Sequence, residues 1–239
     1  MLETREPAAA GTRSRDVIAV TKPHQTAWQQ WVERPEKIWM RQAIFRVHLW
    51  LGAVLTLYVL FMSVSGSVIV FRNELSPLLS IEWLVRLHER PLPGDTHHIL
   101  NALGACALLV LCITGAVVWW PGRAYWRRSL TVEWRARGPR ISWDAHSAFG
   151  FWFLIVVALW SVSGLYLAQP LMFEGILPEQ VLFVLTELHF GRFNRVTEVV
   201  WSVSALVPSL LALTGLFIWC RRCVLRLPSN PKHLTSIDT

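Results

Sequence analysis

Four apolar runs, at roughly 46–71, 98–120, 145–169 and 197–220, each reach about 20 residues or more, long enough to cross a bilayer as a helix. Lipid offers no hydrogen-bond partners to a bare backbone, so runs of this length are predicted to be helical. Everything else must then be tail, connector or surface around a helical bundle. The 239-residue composition agrees: 53% of residues are hydrophobic and only 16% charged, less charge than a soluble domain carries. The first 40 residues are polar and mixed in charge, and the first apolar run is too long for a signal-peptide core. No early cleavable signal is therefore expected.

The net charge of +7 would suit a nucleic-acid binder, but its placement is topological. Of the 23 Lys and Arg, 18 lie in residues 1–46, in the 121–143 segment or after the fourth run; the 72–96 and 170–195 connectors hold 5. By the positive-inside rule both termini and the middle loop are cytoplasmic, and no nucleic-acid partner is expected. The expected organisation is a flexible cytoplasmic tail (1–27), an interfacial amphipathic helix (28–45), a two-helix unit (46–122), an Arg-rich cytoplasmic loop (123–142), a second two-helix unit (143–222) and a cytoplasmic tail (223–239). Trp among Arg in 28–45 and in the loop suits segments resting on lipid headgroups. Cys106 and Cys112 read as apolar packing. Cys220-Arg-Arg-Cys223 lacks the following His of a c-type haem site and the second Cys pair of a zinc site.

The two units repeat each other. Arg46-Val-His48-Leu-Trp-Leu-Gly52 opens a run ending in Ser63-Val-Ser-Gly66, and His146-Ser-Ala-Phe-Gly150 opens one ending in Ser161-Val-Ser-Gly164. Leu87-His88 and Leu188-His189 close the two outward connectors, and Thr114-Gly115 and Thr214-Gly215 precede Trp119 and Trp219. An even number of spans per unit makes the repeats parallel, so equivalent histidines lie at matching depths. His48 and His146 fall at the cytoplasmic end, His88 and His189 on the outer side. Residues four apart share a helix face, so Gly52 and Gly150 would leave a notch one turn from His48 and His146 for a flat ligand.

Neutral imidazole is a good ligand for haem iron, and an axial pair of imidazoles supports electron transfer. Two pairs at two depths would hold two haems: His48 with His146, and His88 with His189. His97 or His98 could replace His88, which is preferred because it alone has a counterpart in the second unit. Arg46, Arg41 and Arg123 inside, and Arg192 or Arg195 outside, could pair with haem propionates or anchor headgroups. The small residues of the Ser-Gly and Thr-Gly motifs would let helices approach closely, or admit the porphyrin.

These motifs, over roughly residues 40–222, resemble the PepSY-associated transmembrane family: Val47-His48-Leu-Trp-Leu-Gly52, Ser65-Gly66, Leu87-His88, Thr114-Gly115 with Trp119-Trp120-Pro121-Gly122, and the repeated His146, Ser163-Gly164, Leu188-His189 and Thr214-Gly215. The family includes ferric-siderophore reductases, so the resemblance implies a multi-pass bacterial inner-membrane protein, b-type haem and a link to iron uptake. Larger members carry PepSY domains in the periplasmic connectors. Here each connector has about 25 residues, too few for such a domain. The expectation is an all-α integral membrane protein with four transmembrane helices, holding two haems b. It would move electrons from a quinol or cytoplasmic donor to a periplasmic ferric chelate or redox protein. The other expectation is a haem-free membrane scaffold, an accessory subunit docking through 28–45 and the Arg-rich loop. A transporter fits less well: the first three runs contain no Asp, Glu or Lys, and the fourth only Glu198 near its edge.

Overall fold

The computed structural model describes residues 26–77, 80–92, 94 and 96–225. These form α1 (Ala27–Glu33), α2 (Trp39–Ile69), α3 (Arg72–Leu75), α4 (Glu82–Glu89), α5 (Thr96–Trp119), α6 (Gly138–Trp152), α7 (Leu154–Ala168), α8 (Glu179–Phe190), α9 (Arg195–Ser204) and α10 (Val207–Trp219). Among the described residues there are no β-strands. Three helical stretches are long and apolar enough to cross a membrane: Trp39–Ile69, Thr96–Trp119 and Arg195–Val224. The pair α6 and α7 makes a fourth if its two parts are one span. The tail expected at 1–27 lies outside the described residues except Thr26 and Ala27, which cap and begin α1. That expected at 223–239 lies outside them except for 223–225.

Two helices differ from the sequence expectation. The interfacial helix expected at 28–45 is interrupted at Pro35, which lacks a backbone N–H and starts a short 3₁₀ turn; the chain then enters α2 at Trp39. The third apolar run is bent by 65° at Phe153, where the backbone leaves helical dihedrals (φ −101°, ψ 4°). The bend is held from outside the bundle, since Trp152 Nε1 donates to Leu130 O at 3.1 Å.

The bundle closes as a ring: α2 packs on α5 and α10, α7 on α5, and α6 on α10. Its polarity is the reverse of a soluble domain. Val54, Leu57 and Ile155 point outward, each more than three-quarters exposed, while Thr56, Ser63, Ser65, Ser67, Ser161 and Ser163 are buried. Lipid rewards no apolar burial, so small residues that permit close approach fill the centre. Short connecting helices, α4 and α8, fold back against α2 and α7 and carry His88 and His189 inward.

The α2 contact with the last span shows how a helix break is satisfied. Pro208 lies in the first turn of α10, after a turn at Ala205–Leu206. An unbroken helix would bond Ser209 N–H to Ala205 C=O. Instead the Ser63 hydroxyl stands between them, donating to Ala205 O and accepting from Ser209 N at 3.1 Å. One turn along, Ser67 and Ser202 exchange hydroxyl-to-carbonyl bonds, each 2.8 Å. A side chain inserted into the backbone ladder is a recognised cause of a helix break, and here it is also the glue between two spans.

At the opposite end of the bundle, Gly122 adopts φ +93° against Glu33 O and Pro35, and Arg123 N–H donates to Val32 O at 2.9 Å. Arg41 Nη2 caps the end of α5, donating to Val118 O at 2.6 Å and Trp120 O at 3.1 Å. The Arg222 guanidinium lies over the Phe45 and Trp143 rings, at 4.9 and 5.1 Å.

Ser63→Ala removes the hydroxyl that bridges the broken ladder and leaves a buried carbonyl and N–H unpaired. The expected cost is about 1–3 kcal/mol, read as a lowered unfolding midpoint in detergent. Ser161→Ala, whose hydroxyl donates to Val157 O of its own helix, is expected to cost much less.

Candidate functional site

Each of the four repeated histidines meets a hydroxyl at Nδ1. His48 Nδ1 lies 3.0 Å from Thr114 Oγ1, and His146 Nδ1 lies 3.0 Å from Thr214 Oγ1. His88 Nδ1 lies 2.7 Å from Ser65 Oγ, and His189 Nδ1 lies 2.9 Å from Ser163 Oγ. Every one of these hydroxyls also contacts a carbonyl one turn back in its own helix: Thr114 to Val110, Thr214 to Leu210, Ser65 to Phe61 and Ser163 to Leu159, at 2.7–2.8 Å. A carbonyl only accepts, so the hydroxyl proton points at it and the imidazole Nδ1–H donates to the hydroxyl oxygen. That tautomer places the lone pair on Nε2. It is the state in which an imidazole binds a metal, with its other nitrogen oriented by a hydrogen bond.

A glycine follows each hydroxyl residue, and it is this glycine that the ring occupies. A Cβ on Gly115 would stand 3.2 Å from His48 Cε1, on Gly215 3.1 Å from His146 Cε1, on Gly66 3.3 Å from His88 Cε1 and on Gly164 3.6 Å from His189 Cε1. Thr-Gly and Ser-Gly are therefore imidazole-seating dipeptides, a role that sequence spacing did not assign to them. The signal was present: a hydroxyl residue followed by glycine occurs in all four motifs. Gly52 and Gly150 face elsewhere, toward Leu111 Cδ2 at 3.9 Å and Leu211 Cδ2 at 3.8 Å.

The His48 and His146 ring centres are 6.2 Å apart, with planes at 79°. Two metal–nitrogen bonds of roughly 2.1 Å plus the imidazole radii would place ring centres about 6 Å apart, a separation comparable to that of this pair. His88 and His189 line one cavity of about 440 Å³. Burial pushes both of these imidazoles down to about 4, and His189 also senses charge on His88. Among the described residues no three His, Cys, Asp or Glu side chains converge on one point.

The remaining candidates are less central. Arg46 is exposed, two residues before His48. Arg41 is engaged with the end of α5, and Arg195 with Glu74 and Glu198. His97 is buried with its Nδ1 against Gly94 O, and its ring contacts that of the exposed His98. One expectation needs correction: α6 begins before the apolar run and carries a buried acid, Asp144, 4% exposed and bonded to Arg140 Nε at 2.9 Å. Its partner one turn away neutralises it, so it is a paired structural charge.

Residues 76–177 match the family model of the PepSY-associated TM region, the family the sequence motifs resemble. The matched stretch holds one histidine of each pair, His88 and His146, and the seats Thr114-Gly115 and Ser163-Gly164. No curated protein and no solved structure matches the chain.

Gly115→Ala and Gly215→Ala would each press a methyl group on an imidazole, and each is expected to destabilise the protein by about 1–3 kcal/mol. Gly52→Ala meets only an ordinary contact and is expected to be neutral or stabilising by about 0.5–1 kcal/mol. Unfolding midpoints of the three variants in one detergent check both expectations.

Proposed function

We propose that this chain, built around its PepSY-associated TM region, is a di-haem b-type cytochrome of the bacterial inner membrane. The observation that carries the reading is the fourfold seat: four imidazoles at two levels, each with Nδ1–H spent on a hydroxyl and Nε2 left for a metal. His48 and His146 would hold the inner haem, and His88 and His189 the outer one. Haem supplies one-electron redox chemistry at its iron.

The chain's own residues do the rest. The hydroxyls fix tautomer and ring orientation, and the glycines let the Nδ1–Cε1 edge of each ring come close against a neighbouring helix. The lipid-facing apolar surface keeps water away from the pairs. In this reading the two halves are a parallel tandem repeat of two-helix units with both termini cytoplasmic, as the arginine distribution supports. Two redox centres at two depths suit passage of electrons from a quinol or cytoplasmic donor to a periplasmic acceptor, a ferric chelate or a redox protein. Reduction of ferric-siderophore iron is the activity that fits such an acceptor. Arg123 stands at the inner end beside Gly122, and Arg192 is among the residues lining the outer cavity, which supports a propionate role for each.

A dithionite-reduced minus oxidised spectrum of the purified protein is expected to show split b-type bands, with about two haems per chain by pyridine haemochrome, as two axial histidine pairs require. His48→Ala and His146→Ala should each remove about half the haem, and His88→Ala and His189→Ala the other half. A colourless protein expressed with ample haem would overturn this reading in favour of a haem-free scaffold, for which partner capture would be the next experiment.

A further inference from the structure

His97 is explained neither by the repeat nor by packing. Thr114-Gly115 and Thr214-Gly215 set an offset of 100 between the two halves, and the residue equivalent to His97 is Thr197, engaged in capping α9. His97 is 6% exposed. The turn at Gly94, with φ +74°, sets a carbonyl against its Nδ1, so Nδ1 carries a proton. Its Nε2 is buried and has no hydrogen-bond partner. Buried polar atoms in native proteins are almost always satisfied, so an orphan of this kind points to a missing group.

His97 lines the same cavity as His88 and His189. Three arginines are among its lining residues as well, Arg72, Arg90 and Arg192, and Glu89 is the one acid among them. Among the described residues none of the three makes an ion pair, and Arg192 rests over the Phe190 ring at 4.9 Å. The two other outer arginines are paired and absent from the cavity wall, Arg195 with Glu74 and Glu198 and Arg86 with Glu82. Tyr58, Met62, Leu108 and Trp160 contribute to the rest of that wall. A ligand matching these features has a flat apolar body and more than one acid group.

We infer that His97, Arg72, Arg90 and Arg192 form a carboxylate-binding rim on the outer cavity, which receives the propionate edge of the outer haem. This rests on the di-haem reading above. The arginines would make charge-assisted bonds to the carboxylates, and His97 Nε2 would share one proton with a carboxyl oxygen. A carboxylate chelate of Fe(III) arriving from outside offers the same chemistry, and the test separates the two sources.

The full-length chain, purified from haem-deficient cells, is titrated with haemin and with haemin dimethyl ester, which lacks both free carboxylates. The Soret band reports binding, and His88→Ala identifies the outer component. The outer component is expected to bind the ester about tenfold or more weakly than haemin, the loss of one charge-assisted bond or more. Arg72→Gln with Arg192→Gln, and separately His97→Leu, should weaken haemin at the outer component by a similar factor. The inner component of the same variants should be unchanged, which shows that they fold. In the double arginine variant the preference for haemin over its ester should shrink, with Arg90 and His97 left to hold the carboxylates. Equal outer affinity for haemin and ester in the unaltered chain, or variants with unaltered outer affinity, would overturn the assignment. So would ferric citrate binding to the haem-loaded protein that is lost in the arginine variant while its haemin affinity holds, since the rim would then belong to the incoming chelate. An unaltered chain that takes up no haemin at either level would overturn the di-haem reading itself, and the rim with it.

Discussion

Inside a membrane helix, a Ser or Thr hydroxyl has a ready partner in the carbonyl one turn back. Once its proton is committed there, the oxygen can only accept. Four such oxygens in this protein accept from four imidazoles, and the arrangement of the bundle depends on those bonds. They tie α5 to α2 through His48, α10 to α6 through His146, α4 to α2 through His88 and α8 to α7 through His189. They also select the tautomer. The same contacts that hold the helices together thus leave four Nε2 lone pairs at two levels, so packing and chemistry share one set of atoms.

The two halves share this logic but not their helix geometry. In the second half α6 and α7 meet at a 65° bend at Phe153, and the stretch from α9 into α10 is interrupted before Pro208. The first half has neither break within α2 or α5. The interruption frees backbone groups that lipid cannot satisfy, and Ser63 of the first half satisfies them. The irregular element is therefore stabilised by the regular one. The closed ring of contacts gives each half a surface that the other completes.

Several features were legible in the chain because they depend on local periodicity. The apolar runs follow from the length a helix needs to cross a bilayer, and the four histidines stand out because they recur in register. The Ser-Gly and Thr-Gly motifs were visible too, but their work was not. Spacing along one helix relates residues on that helix, and it directed attention to Gly52 and Gly150. The glycines that meet the rings belong to neighbouring helices or, for His88 and His189, to the spans those short helices fold against. Asp144 was missed for a related reason: α6 starts at Gly138, beyond the apolar pattern, where a paired charge can be buried.

What the sequence determined by itself is what lipid and helix geometry dictate residue by residue: an all-helical chain with three or four apolar spans, a repeated set of imidazoles and an asymmetric distribution of arginine. What only the tertiary structure decided is which atoms meet. The Nδ1–hydroxyl bonds, the glycine seats, the 6.2 Å spacing of the His48 and His146 rings and the unpartnered Nε2 of His97 all arise between elements distant in the chain. Their geometry depends on helix rotation, bends and breaks, and those are set by packing across the bundle, which a one-dimensional pattern does not encode.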